Sequence, residues 1–291
     1  MPGMPAAVLS LLRIYLKGVF GKRPIMKKIL KFIFSPFLGR KQFRALFTAL
    51  FLLSLKGMNF GGGTSPKDSG EDNVIKYALG KLKSKKISVF DVGGNYGEYT
   101  KLWLENLKQH NLIGEFYIFE PSATALGHLQ KEFSDLKNVK IFPVALSNQE
   151  GEAVLYSNFA GSGLGSLAKR DLSHVGIDMG DEDKVKTSIL DKICEQENIS
   201  AIDFLKIDVE GFEFAVLQGA TRLLAGSNIK FIQFEFGGTD IDTRVFFKDF
   251  YSLLSSKYKI YRILKNGLAP IEKYSELDEI FLTTNYLAEL K

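Results

Sequence analysis

Apolar positions along this chain recur with two periods, and the alternation between them lays out most of the elements. Short runs rich in β-branched and aromatic residues predict strands at Ile87–Val92, Phe116–Phe119, Val139–Val144, Phe204–Val209 and Phe231–Phe236. Between them, residues spaced three and four apart predict helices: Val74, Ile75, Ala78 and Leu82; Tyr99, Leu102, Trp103 and Leu107; Ala125, Leu129 and Phe133; Phe214 and Leu217; and Phe247, Phe250 and Leu254. Strands that alternate with helices in this way predict an α/β fold with a doubly wound, mostly parallel sheet. Gly151 to Tyr156 reads as a returning strand. Phe159 to Asp183 has little periodicity and is expected to be a long surface loop. Near the end, Tyr258–Leu264 meets a turn at Asn266-Gly267 with no room for a helix, and a last strand is expected near Glu279–Thr284. That arrangement demands an antiparallel strand pair at the edge of the sheet.

The first residues follow another pattern. Val8, Leu11, Leu12, Tyr15, Leu16 and Val19 fall on one helical face; Ile29, Leu30, Phe32, Ile33, Phe34 and Phe37 follow Pro24; Ala45 to Leu55 is strongly apolar. The last run lies between Arg44 and Lys56 and is far shorter than the roughly 20 residues of a bilayer span. Arg13 and Lys17 interrupt the early apolar stretch, which disfavours a cleavable signal peptide. The turn-rich stretch Gly57 to Gly70 marks a boundary, so the expected organisation is a helical extension over residues 1–63 and a larger domain over 64–291.

Charge sharpens this division. The 291 residues carry a net +5, yet residues 1–63 hold eleven basic side chains and no acidic one, leaving −6 for the remainder. Three readings stay open for the basic preface: peripheral contact with a membrane surface, a helical layer packed on the larger domain or on a second subunit, and, least in accord with its many phenylalanines, a nucleic-acid arm. With 45% hydrophobic residues the chain can bury a sizeable core. The single cysteine, Cys194, excludes an intramolecular disulfide and a cysteine-based zinc site. These features fit a cytoplasmic protein, with the membrane surface as its peripheral alternative.

Candidate chemistry gathers where strands end. Asp91-Val92-Gly93-Gly94-Asn95-Tyr96-Gly97 is a tight turn between a strand and a helix, placed to cradle an electron-rich ligand at the helix N-terminus. It lacks the first glycine of the dinucleotide fingerprint, since Val92 stands there, and this disfavours a nicotinamide-dependent oxidoreductase. Glu120, followed by Pro121, ends the second strand where a carboxylate can accept the hydroxyls of a ribose. Asp208 and Glu210 end the Phe204–Val209 strand on one face, and Glu235 ends the next. Carboxylates so placed are costly in a core and useful in a site. The triad can take a proton or hold a divalent cation, and no metal ligand is assigned. Of the three histidines, His174 alone lies in a predicted loop, where with Ser162 and Ser166 it is a candidate contact.

Taken together, DVGGNYG, FEP at 119–121, PVALS at 143–147 and KIDVEGFE at 206–213 resemble the FkbM family of methyltransferases, as do Gly57-Met58-Asn59-Phe60-Gly61 and Ser69-Gly70-Glu71 upstream. The resemblance covers nearly the whole chain from residue 57. It implies a Rossmann-like methyltransferase sheet and S-adenosylmethionine as cofactor, held by Asp91, Gly93, Gly94, Asn95, Gly97, Glu120, Pro121, Ala145, Leu146 and Asp208. The implied reaction is O-methylation of a sugar, glycan or natural-product hydroxyl, with Asp208, Glu210, Glu235 and His174 as candidate proton acceptors. A membrane-surface or scaffold protein that keeps the fold without catalysis is the alternative from another class, and homo-oligomerisation is open.

Overall fold

The computed structural model describes residues 32, 34–61 and 69–291. The predicted helix over residues 8–19 and most of the one after Pro24 lie outside the described residues. The chain divides into two compact units, Met1–Leu55 and Lys56–Lys291. The apolar run forms α1, Arg44–Gly57, which begins in the first unit and is preceded there by a 3-10 turn at Lys41–Phe43.

The second unit is built on an eight-stranded sheet of order β10-β9-β11-β8-β7-β1-β2-β3. Its parallel part contains β1 (Lys86–Val92), β2 (Ile113–Phe119), β3 (Val139–Phe142), β7 (Ile202–Ile207) and β8 (Ile229–Phe236). Helices α2 (Glu71–Lys81) and α3 (Glu98–Gln109) bring Val74, Ile75, Leu102 and Trp103 against one face, where they bury Val89, Phe204 and Phe231. The opposite face meets α5 (Leu190–Gln196), α6 (Glu213–Gln218), α7 (Thr221–Ala225) and α9 (Phe247–Leu254) around Phe90, Leu205, Ile232 and Phe234, while α4 (Ala123–Glu132) sets Leu129 on Ile118 of β2 on the α3 side and α8 (Thr239–Thr243) follows β8. Apolar side chains therefore cover both faces of the parallel strands, which explains their near-continuous hydrophobic runs.

The antiparallel edge is present, in a different register from the one expected. β9 (Tyr258–Leu264) turns at Lys265-Asn266 into β10 (Gly267–Ile271), and the last strand is β11, Thr284–Leu290. β11 inserts between β8 and β9, antiparallel to both. The expected strand near Glu279–Thr284 sits too early because Ser275 and Asp278 close a capping box around a short 3-10 turn, which delays entry into the sheet. A second, three-stranded sheet joins β4 (Ala145–Leu146), β5 (Gly151–Ser157) and β6 (Asp181–Ser188) in the order β4-β6-β5. β6 was expected to be loop over its first residues; its sequence DEDKVKTS carries the strand's exposed face and little apolar alternation.

The glycine-rich boundary joins this unit by specific bonds. The Asn59 side chain donates to the carbonyls of Ser69 and Ile263, Gly61 N–H donates to the Thr283 carbonyl, and Arg262 stacks over the Phe60 ring at 4.5 Å.

Candidate active site

Strand order reverses between β1 and β7, and a crevice opens at the carboxyl ends of the strands there. Gly93, leaving β1 with φ of 83°, lies so close to β7 that an added Cβ would strike the Asp208 carbonyl oxygen; one on Gly94 would strike Ile118 of β2. These glycines let three strand ends converge. Their amides differ from the expected free cradle: both donate to the Phe119 carbonyl, at 2.9 and 3.1 Å, so the turn binds β2.

The cleft beside them is lined by Gly93, Asn95, Glu120, Pro121, Ala145, Leu146, Asp208 and Glu210 together with residues of the 157–167 segment. Of the sequence-stated cofactor residues, Asp91, Gly94 and Gly97 do not line it. Asp91 is buried behind the wall and accepts the Thr100 hydroxyl at 2.7 Å, fastening α3 to β1. Gly97 is the left-handed N-cap of α3.

Glu120 is a preformed acceptor. Its Oε2 accepts the Asn95 amide and its Oε1 the Ser122 amide, each at 2.8 Å. The carboxylate plane is thereby fixed, while each oxygen retains acceptor capacity. Burial pushes its pKa up and the two amides oppose that shift.

The expected carboxylates meet: Asp208 and Glu210 line the same cleft, and one oxygen each of Asp208, Glu210 and Glu235 lies within 4.8 Å of the others. Each has a different environment. Asp208 pairs with Lys206 Nζ at 2.6 Å. Glu210 pairs with Arg170 Nη1 at 2.6 Å and occupies left-handed backbone at φ of 55°. Burial, reinforced by Asp208, pushes Glu210 up to about 7 despite Arg170. Glu235 is buried, has no hydrogen bond or ion pair among the described residues, and is pushed well above the usual carboxylate range by burial and by Asp208 and Glu210. With Asp208 and Glu210 already facing cations, the triad is better suited to handling a proton than to recruiting a divalent ion.

Lys206 comes from the strand row Asp91, Lys206, Gln233, adjacent in register on β1, β7 and β8. Its ammonium lies 4.9 Å from the Tyr99 ring centre. Burial opposes its charge, but Asp208, Glu71 and Asp91 hold it protonated beyond its ordinary range. Glu71 reaches this row through Gln233 Nε2, at 2.5 Å, which gives the Ser69-Gly70-Glu71 segment a place under the site.

Three participants had no assigned role in the sequence reading, although Lys206 and Glu213 belong to its KIDVEGFE run. Glu213 accepts the amides of Val209 and Gly211, at 2.8 and 2.9 Å, and so shapes the turn that presents Asp208 and Glu210. Arg170 was hidden because a lone cation in a loop carries no spacing signal, and Lys206, though the first residue of the KIDVEGFE run, had no assigned part because its pairing with Asp208 depends on side-chain geometry. The 157–170 segment roofs the cleft: Tyr96 donates to the Gly161 carbonyl at 2.8 Å and Ser166 to the Glu210 carbonyl at 2.7 Å. Ser162 lines the cleft, whereas His174 is exposed on a 3-10 turn and does not line it.

Comparison with known proteins adds the following. The model of the methyltransferase FkbM domain matches residues 91–263. The chain is 24% identical over 187 residues to the 2-O-methyltransferase NoeI of Sinorhizobium fredii (strain NBRC 101917 / NGR234), an alignment covering 60% of this chain and 73% of that protein. Among solved structures it is similar to methyltransferase FkbM from Methylobacillus flagellatus KT, with 15% identity, TM-score 0.42, and coverage of 72% of this chain and 45% of that one. It therefore spans less than half the length of that structure. It is also similar to the plantazolicin methyltransferase BpumL in complex with SAH, with 12% identity, TM-score 0.38, and coverage of 76% and 83%.

Proposed function

Because the chain belongs to the FkbM methyltransferase family, we propose that it transfers the methyl group of S-adenosylmethionine to a hydroxyl oxygen of a sugar, glycan or natural-product scaffold. The observation that carries this reading is one cleft lined both by Glu120, whose carboxylate two backbone amides fix, and by Asp208 and Glu210 of the carboxylate cluster. A relative that is a 2-O-methyltransferase supports oxygen as the acceptor atom.

The residues fit the cofactor. Glu120, held by two backbone amides, has acceptor capacity for the ribose hydroxyls. Ala145 and Leu146 provide apolar surface for the adenine. Asp208 and Glu210 supply negative charge for the sulfonium. When bound, the cofactor supplies a methyl group activated by positive sulfur, so the protein's work is alignment and proton management.

An attacking hydroxyl must lose its proton. Glu210 lines the cleft, and its burial brings its pKa to about 7, close to the pH at which a general base works best. Asp208 faces the Lys206 ammonium at 2.6 Å, and burial together with Asp208 and Glu210 pushes the Glu235 carboxyl well above the usual carboxylate range. His174, exposed and away from the cleft, has no part in this assignment.

The test is a mass-spectrometric screen with isotopically labelled cofactor against hydroxyl-bearing sugars, glycans and polyketides, with NMR to locate the label. An O-methyl product is expected. A labelled carbon or nitrogen acceptor would refute the oxygen assignment, and calorimetric binding of NAD tighter than S-adenosylhomocysteine would refute the cofactor.

A further inference from the structure

We propose that the unit Met1–Leu55 binds an anionic lipid bilayer through α1 and the turn before it. An apolar stripe on a soluble helix normally faces a core, and a helix apolar all round is normally buried or in a membrane. In α1, Leu46, Leu50, Phe51, Leu52 and Leu53 are all exposed, and a heptad-like separation of one face from another is absent. Fourteen residues make a helix of about 21 Å, against a hydrocarbon core of about 30 Å. No helix among the described residues is long and apolar enough to cross a membrane. A helix of that length is too short to span the hydrocarbon core, so its contact with a bilayer is at the surface, where the cations that precede it meet the headgroups.

Charge identifies the lipid class. Arg40, Lys41 and Arg44 converge with Leu38, Phe47 and Phe51 on one shallow surface groove. None of the three cations makes an ion pair or a side-chain hydrogen bond among the described residues. A groove with unpaired cations on one wall and aromatic carbon on the other matches a lipid phosphate above its acyl chains. A second copy of the chain matches poorly: residues 1–63 contain no acidic side chain, so a symmetric contact through this surface would oppose like charges.

The full chain is to be tested by flotation with phosphatidylcholine vesicles and with vesicles in which about a third of the lipid is phosphatidylglycerol. Binding is expected to the anionic vesicles only and should weaken steeply between about 0.05 and 0.5 M salt. Replacing all three cations, R40Q/K41Q/R44Q, should lower the partition coefficient about a hundredfold. Leu50→Ser with Phe51→Ser should lower it separately, leaving circular dichroism and S-adenosylhomocysteine affinity unchanged. Equal binding to neutral and anionic vesicles, retention of full binding by the triple variant, or no vesicle binding with a concentration-dependent dimer would each overturn the proposal.

Discussion

Glu213 is wholly buried, yet it decides where two other carboxylates stand. By accepting the amides of Val209 and Gly211 it makes the left-handed bend at Glu210 part of a bonded turn, and Arg170 fixes the side chain that emerges. Glu210→Gln preserves size and a partner for Arg170 while removing the proton-accepting charge. Turnover is expected to fall by about 10²–10⁴-fold, with S-adenosylhomocysteine affinity little changed by calorimetry; an equal fall in affinity would assign Glu210 to binding instead. The cluster also sets a pH dependence. Burial raises Glu210 to about 7 and likewise raises Asp240, which lies outside the cluster and accepts the Gly237 amide at 2.8 Å, to about 7, so between the ordinary carboxylate range and that value the native state holds protons that the unfolded chain releases. This contribution is complete below the ordinary carboxylate pKa and is lost as pH rises through about 7. The melting temperature of the ligand-free protein should therefore fall between about pH 5 and pH 8 in differential scanning calorimetry, and less so in Glu210→Gln. A rise over that interval would contradict the assignment.

At the scale of elements, the strand ends were legible because period and breaker coincide there: an apolar run, a carboxylate and a glycine in direct succession. The role of the glycines was less so. Gly93 looked like room for a ligand, but the approach it permits is that of β1 to the Asp208 backbone, a contact between strands 115 residues apart in sequence that no local pattern encodes. Gly93→Ala combines a positive φ with a backbone collision and is expected to cost about 2–5 kcal/mol, measured by urea unfolding. A loss below about 0.5 kcal/mol would show that the crossing tolerates a side chain. The small sheet shows the opposite limit. β6 is recognisable only from its pairing with β5, since Val185 is the buried residue of its first six and charge occupies most of the others.

For the whole molecule, the doubly wound order and its antiparallel edge follow from the sequence, but the insertion of β11 between β8 and β9 does not, because partner choice among apolar strands is settled by packing on both faces. Arg170 was invisible for a similar reason: its contact with Glu210 spans a segment with no periodicity. That contact also bears on timing. Arg170 belongs to the stretch that roofs the cleft, and Glu210 is the group proposed to collect the acceptor's proton. Once the proton arrives, the pair loses one of its two charges and the roof loses an attachment. The event that completes the transfer would thus also loosen the exit, so that products leave after the proton has moved and the roof stays fastened before it.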